Sequence, residues 1–375
     1  PAVKKYRLAL ITHEIAPSEQ TMREVFSQAQ NFAANNRTLQ ELIAAAQVQG
    51  MQVRSARLTA MMANVNGVSN SRNIVLTGLT FEGMGSGIIL EDTNDNIEIS
   101  HCRILMDTTT TTTYAGIGIV DSRPNKIKVT DNYIRGTYYG FYTRGLSASE
   151  KMTNITFCNN TLEEAYYGTL LYYTDFDYVC NNTILSRKGN SAAFYGLDMT
   201  YCNAEEVNAN HIRTLSAVSG GQGIYASYFN TDSTRSGLIS NNEIIYNATG
   251  TAYGIYTGYS EAEYIHNTVI MYGVGASRGV YCINSLAGKD MHFYNNNFVC
   301  YNNGYPMYFT ATSQFGNEIL LDYNNCFGNS YLGYIGGNIS DLTTWISRSQ
   351  DQDAANVNPN FYDYTISGTC AHYTG

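Results

Sequence analysis

The sequence predicts an all-β fold, a right-handed parallel β-helix of about ten rungs, preceded by a small α/β segment. Two motifs that alternate at a near-constant period carry that expectation. The first is Asn-x-apolar: Asn132-Tyr-Ile134, Asn160-Thr-Leu162, Asn182-Thr-Ile184, Asn210-His-Ile212, Asn242-Glu-Ile244, Asn267-Thr-Val269, Asn296-Asn-Phe298 and Asn325-Cys-Phe327. The second is Gly-apolar-Tyr: Gly140-Phe-Tyr142, Gly223-Ile-Tyr225, Gly254-Ile-Tyr256 and Gly279-Val-Tyr281, with Ala193-Phe-Tyr195 as a variant. With Phe81 and Ile104 added, the apolar markers of the first motif lie 22 to 32 residues apart. Such a unit is too short for a strand–helix–strand crossover and shows no helical hydrophobic spacing. It holds two or three short strand-like runs, such as Lys126–Thr130 and Gly223–Ala226, broken by Asn, Gly, Ser or Thr turns. Coiling sets each strand about 4.8 Å from its counterpart in the next unit. The Asn column then has two expected tasks: to adopt the left-handed turn between strands, and to bond the backbone and the Asn above and below.

Composition agrees with stacked strands and polar turns. Charged residues make up 14% of the chain, against 32 Tyr and 33 Gly. Only 5 prolines occur, as expected where nearly every backbone N–H joins a ladder. The net charge of -9 argues against nucleic acid or anionic membrane surfaces as partners. No apolar run reaches transmembrane length and no secretory signal is present. The chain opens at Pro1 without Met, the expectation for a processed or trimmed fragment.

Cys102, Cys158, Cys180, Cys202, Cys282, Cys300, Cys326 and Cys370 show no zinc-type spacing, and no metal site is expected. Cys158 and Cys180 each stand two residues before a ladder Asn and should stack in consecutive rungs, while Cys102 takes the place of a ladder Asn. The expectation is small buried core residues with free thiols, in preference to a Cys158–Cys180 disulfide.

Residues 1–75 differ from the rest. They carry eight basic and four acidic residues, and a single Tyr, Tyr6. The pattern reads strand, helix, helix, strand, with capping boxes at Thr21-Met-Arg-Glu24 and Thr38-Leu-Gln-Glu41 and a helix stop at Gly50. The runs Lys4–Ile11, Asn31–Arg37 and Leu58-Thr59 through Asn70–Val75 resemble a non-catalytic region of SurA/PpiD-type periplasmic peptidyl-prolyl isomerases of Bacteroidetes. That resemblance implies a truncated parvulin-like piece without isomerase activity; capping the open end of the solenoid is the other expected role. Residues 76–340 are assigned to the β-helix and 341–375 to a C-terminal cap. Asp322-Tyr-Asn-Asn-Cys-Phe327, Leu342-Thr-Thr-Trp345, Gln352-Asp-Ala354 and Asn358-Pro-Asn-Phe361 resemble the last rungs and cap of secreted right-handed, pectate-lyase-like β-helix repeat proteins of Bacteroidetes. That resemblance implies export through the periplasm, often by type IX secretion, to the outside or the cell surface.

Candidate chemistry is sparse. Polysaccharide lyases on such a fold need a base beside acidic groups that hold Ca²⁺ or neutralise a uronate, and hydrolases need paired carboxylates. Asp175, Asp177, Arg187 and Lys188 are the catalytic candidates, with Glu163, Glu164, Asp198, Glu205, Glu206, Arg135, Arg144 and Arg213 nearby in sequence. Charges in solenoid turns are more often solvated loop residues. His101, His211, His266 and His292 are read as structural or surface residues. Tyr142, Tyr195, Tyr225, Tyr256 and Tyr281, with Tyr308 extending them, should stand in register as an aromatic stripe that packs rungs or holds a glycan. The favoured reading is a non-catalytic surface module that binds polysaccharide or cell-surface matrix, or serves as a structural part of a secreted protein, without a cofactor and without membrane insertion. The alternatives are a lyase or hydrolase of acidic polysaccharide, with Ca²⁺ as its only expected cofactor, and a chaperone-linked periplasmic protein partnered with secretion or chaperone machinery.

Overall fold

The computed structural model describes residues 72–359 apart from 92, 121–123, 190, 233–235, 274–275 and 302, together with four short strands upstream. The helices expected within residues 1–75 lie outside the described residues. Ile11–Thr12 pairs antiparallel with Gln52–Val53, whereas Arg57–Leu58 and Val68–Ser69 pair in parallel with Thr80–Gly83 and Ile88–Glu91. Arg72–Thr77 pairs likewise with Asp95–Ser100. Parallel pairing therefore runs across the boundary expected at residue 75.

From there the chain is a right-handed parallel β-helix. One turn contributes Ala115–Val120 to sheet I, Asn125–Thr130 to sheet II and Tyr133–Arg135 to sheet III, and the next turn begins at Tyr139–Arg144 in sheet I. Among the described residues the three sheets hold 12, 10 and 11 strands, so nearly every strand is paired on both sides. Inward side chains stack by identity of position. Phe81, Ile104, Ile134, Leu162, Ile184, Ile212, Ile244, Val269, Phe298 and Cys326 form the sheet III column, each at most 4% exposed. This column is the spine of the core.

The two sequence motifs meet in a single contact. A Cβ added to Gly116 would lie 2.3 Å from Ile134 Cγ2 and 2.7 Å from the carbonyl of Gly140; one added to Gly254 would lie 2.1 Å from Val269 Cγ1. The apolar residue of Asn-x-apolar fills the space that the glycine of Gly-apolar-Tyr vacates, so both positions are restricted at once.

The Asn column sits at the corner between sheets II and III, and it is buried. Asn210 shows the full pattern: its Nδ2 donates to the Val179 carbonyl (2.9 Å) and to Asn242 Oδ1 (3.0 Å), and its Oδ1 accepts from the Asn182 backbone N–H (3.1 Å) and side chain (2.9 Å). The same bonds recur from Asn132 to Asn324, and Cys102 opens the ladder by donating its N–H to Asn132. Two expectations are corrected here. The left-handed residue is not the ladder Asn but the one before it: His101, Asp131, Asn159, Asn181, Ala209, Asn241, His266, Asn295, Tyr323 and Gln350 all have φ between 53° and 61°. The ladder Asn is the amide that satisfies the backbone exposed by that turn. In the last rung the ladder residue is Asn324 rather than Asn325, and Cys326 rather than Phe327 points inward opposite Phe298. Two adjacent asparagines made the register ambiguous by one residue.

Cys158 and Cys180 form a disulfide, contrary to the expectation of free thiols. They are register partners on neighbouring strands with Cα atoms 4.5 Å apart, inside the range that bridges require. Cys102, Cys202, Cys282, Cys300 and Cys326 are free and buried. At the C-terminal end, helix α1 (Leu342–Ser349) starts on Asp341, whose side chain accepts the Thr344 N–H at 2.8 Å, and brings Trp345 into the core at 0% exposure. Asp351 ends the ladder, accepting from Asn324 at 3.1 Å.

Replacing Asn210 with Ala orphans the Val179 carbonyl and the Asn182 N–H inside the protein and should cost about 2–4 kcal/mol. The urea midpoint should fall accordingly, and an unchanged midpoint would refute the ladder's role. Cys158→Ser should lower stability by about 3 kcal/mol, the loop-closure value for a bridge spanning 22 residues. Dithiothreitol should destabilise the wild type and leave the variant unaffected.

Candidate functional site

The charges singled out in the sequence do not converge. Asp175 and Asp177 lie on the sheet II strand Thr174–Cys180, beside Glu205 and Glu206 on Asn203–Asn208. Arg187 and Lys188 follow the sheet III strand Thr183–Ser186. Arg135 and Glu164 make an exposed pair at 3.8 Å, and Glu163 accepts from Tyr133 Oη at 2.6 Å. Asp198 is on sheet I. The charges are spread over three faces.

The basic partner of Asp175 is one the sequence reading missed. Lys151 Nζ, on a side chain only 5% exposed, lies 2.6 Å from Asp232, 3.0 Å from Asn203 Oδ1 and 3.7 Å from Asp175. Burial pushes the Asp175 carboxyl up, while the bonds to Lys151 outweigh burial at Asp232 and hold it down. Lys151 thereby acts as a clamp between turns.

The outer face of sheet I is where chemistry collects. One column runs Tyr142, Leu170, Asp198, Tyr225, Tyr256, Tyr281, Tyr308, Tyr334. A parallel column three residues upstream runs Tyr139, Tyr167, Tyr195, Gln222, Tyr253, Arg278, Tyr305. The expected stripe is thus corrected at one position: Tyr195 belongs to the second column. The variant Ala193-Phe-Tyr195 imitates the repeat, but the glycine in register is Gly196, and Gly196-Leu-Asp198 is the true counterpart of Gly223-Ile-Tyr225. Rings pack along both columns: Tyr225–Tyr256 and Tyr167–Tyr195 stack with centroids 4.6 and 4.2 Å apart, while Tyr256–Tyr281 and Tyr281–Tyr308 meet tilted at 5.3 and 5.4 Å. A third series, Tyr173, Tyr201, Tyr228 and Tyr259, stacks at the left-handed corner that follows sheet I.

Asp198 interrupts the tyrosines. It is 7% exposed, its Oδ1 has no hydrogen-bond partner, and its backbone N–H is held by Thr169 Oγ1 at 3.2 Å. Burial pushes its carboxyl up to about 7, with a hydrogen bond from Thr200 acting the other way and no charged neighbour contributing. Burial likewise raises the phenols of Tyr139, Tyr167, Tyr172 and Tyr225, and the charge of Asp198 adds to each. The result is a carboxyl that changes charge near neutrality, ringed by hydroxyl donors. It can donate to or accept from a hydroxyl-bearing ligand.

The sequence matches, over residues 66–267, the family described as "Periplasmic copper-binding protein (NosD)". That span exceeds half the chain. The chain belongs to the NosD family. No curated protein and no solved structure matches it.

The NosD description overturns the expectation that no cofactor is involved, because copper is the ligand the family is named for. Copper calls for His, Cys or other lone-pair donors that converge. Among the described residues no three His, Cys, Asp or Glu side chains come together as a metal site. The four described histidines lie on different turns: His101 and His266 occupy left-handed corners, His211 pairs with Glu243 at 3.1 Å, and His292 is half-buried on sheet II. The free thiols are buried, and burial raises Cys202 and Cys300 to about 12, away from the thiolate that metals require. All described methionines but Met84 are packed inside. Within the described part of this NosD-family chain the donors do not fit copper.

Asp198→Asn gives the first test of this site. The native carboxyl binds its proton more tightly than an unfolded one, so its stabilising effect is complete below about pH 4 and is lost as pH rises to about 7. Relative to wild type, the Asn variant should therefore gain stability between pH 4 and pH 8, by at most about 4 kcal/mol for some three pK units. Parallel melting curves of the two proteins across that range would exclude a buried titrating carboxyl.

Proposed function

We propose that this chain is an exported β-helix module that binds a glycan strand along the outer face of sheet I. The observation that carries the reading is the break in the tyrosine face at Asp198: a nine-tenths-buried carboxyl with an unpartnered oxygen just beneath two columns of half-exposed tyrosines. Burying a carboxylate without a partner is costly, and a ligand hydroxyl is the group that would complete it. Because neighbouring rings stack on one another, the columns offer edges and phenolic hydroxyls more than open faces. Such a surface suits hydroxyl-rich chains laid along the helix axis, with hydrogen bonding repeated turn by turn.

Export is part of this proposal and is supported by the periplasmic description of the family. The finer expectations, type IX secretion to the cell surface and a link to chaperones through residues 1–75, add nothing to the site and stand beside it as expectations. Copper, named for the family, has no role in the binding surface proposed here.

Affinity electrophoresis in gels containing neutral or acidic polysaccharides tests the reading. The wild type should be retarded in at least one gel, and Tyr225→Ala and Tyr256→Ala should each weaken retardation about tenfold, as truncating an aromatic anchor does. Equal retardation of wild type and both variants, with native circular dichroism throughout, would remove the sheet I face from the mechanism.

A further inference from the structure

Arg278 is the second charged residue that breaks the tyrosine pattern, which Leu170 and Gln222 break with uncharged side chains. It replaces tyrosine in the column Tyr139, Tyr167, Tyr195, Gln222, Tyr253, Arg278, Tyr305. Its guanidinium carbon lies 4.4 Å from the ring centroid of Tyr308, 4.8 Å from Tyr281 and 5.4 Å from Tyr253. Three rings therefore hold one cation. No carboxylate pairs with it among the described residues, and its buried Nε has no hydrogen-bond partner. Two other cations in half-buried positions are paired, Lys151 with Asp232 and Asp175 and Lys289 with Glu261. In a protein of net charge -9, a lone ring-bound guanidinium on the outer face is a departure.

The three rings crowd the guanidinium and its Nε is buried, so its recognition element is the edge carrying the two Nη groups. That edge is a fork of N–H donors whose geometry matches a carboxylate, and aromatic contact on the flat faces limits the competing water. Arg278 lies three turns beyond Asp198, on the neighbouring column of the same face. At about 4.8 Å per strand the separation along the axis is roughly 14 Å, a span that a bound oligomer covers.

We propose that Arg278, clasped by Tyr253, Tyr281 and Tyr308, is a carboxylate subsite, and that the glycan held on sheet I is an acidic one carrying uronate groups. The inference rests on the glycan-binding reading and adds its substrate class. Asp198 anchors hydroxyls at one end of the face, and Arg278 selects charge at the other.

The test uses the full chain, a hexagalacturonate and the same hexamer with its carboxyls reduced to alcohols, by isothermal titration at low and moderate salt. Wild type should bind the acidic hexamer at least tenfold more tightly than the reduced one, with the preference weakening as salt rises. Arg278→Gln should abolish the preference and leave binding of the reduced hexamer unchanged. Arg278→Lys, which keeps the charge but not the fork, should retain only part of it. Equal wild-type affinity for the two hexamers overturns the carboxylate subsite while leaving the glycan reading intact. Loss of both affinities in Arg278→Gln, with native circular dichroism, makes Arg278 a support for its tyrosines and also overturns the subsite. Failure of wild type to bind either hexamer overturns the inference together with the reading beneath it.

Discussion

The corner between sheets II and III is the constraint on which the rest of the molecule depends. A parallel solenoid must turn its backbone inward-facing within one or two residues, and each such turn exposes N–H and C=O groups inside the protein. Here a left-handed residue makes the turn, and the buried Asn that follows pairs the groups it strands. Because each Asn bonds both its own rung and the next, the ladder ties rungs in register as well as sealing the corner. A slip of one residue would leave an amide and a carbonyl unpaired in a dry interior, a penalty of several kcal/mol at each rung. Register is thereby the most strongly determined property of the fold.

Everything on the outer faces inherits that register. Once the Asn column is set, the Ile column packs behind it, the glycine column makes room for it, and the residues one before and two after each glycine become continuous stripes. Tyrosine suits such a stripe because strand spacing nearly equals the centroid separation that stacked rings favour, so repetition alone yields packed columns. In this setting the informative residues are those that break the pattern. Asp198 forgoes ring stacking and buries an unpartnered oxygen; Arg278 holds an unpaired charge among three rings. Neither gains from the scaffold what its neighbours gain, and in the reading proposed above these are the positions fitted to a ligand.

The solenoid was legible in the sequence because its two motifs are the two ends of one packing contact, and restriction at both positions leaves a periodic trace. The site was less legible. Ala193-Phe-Tyr195 reproduces Gly-apolar-Tyr in three residues, whereas the glycine that sterics demand is Gly196, whose added Cβ would meet Ile212. Counting from Ile212 back to the nearest glycine would have placed Asp198 in the tyrosine column. The one-residue error at Asn324 has the same origin, since adjacent asparagines are equivalent to a motif but not to an amide that must reach Phe293. The disulfide was missed because stacked strands were judged too far apart, although register partners 4.5 Å apart at Cα fall within bridging range. Lys151 gave no signal at all: its partners Asn203 and Asp232 lie 52 and 81 residues away, joined only by coiling.

The distance between the family description and the described donors has a physical reading of its own. The matched residues 66–267 contain Asn132 through Asn267 of the ladder and the glycine column from Gly87 to Gly254. These positions satisfy backbone groups and permit close packing; they are demands of coiling, shared by any chain that coils in this way. A metal requires something different, three or more lone-pair donors converging within bond length, and coiling does not supply that by repetition. In a stack of like rungs, donors converge only where the repeat is broken. In the described part of this chain, the breaks on the tyrosine face introduce one carboxyl and one guanidinium, several turns apart. That pairing is suited to hydroxyls and to carboxylates, and in the reading proposed above it directs the functional question to the tyrosine face rather than to the ladder.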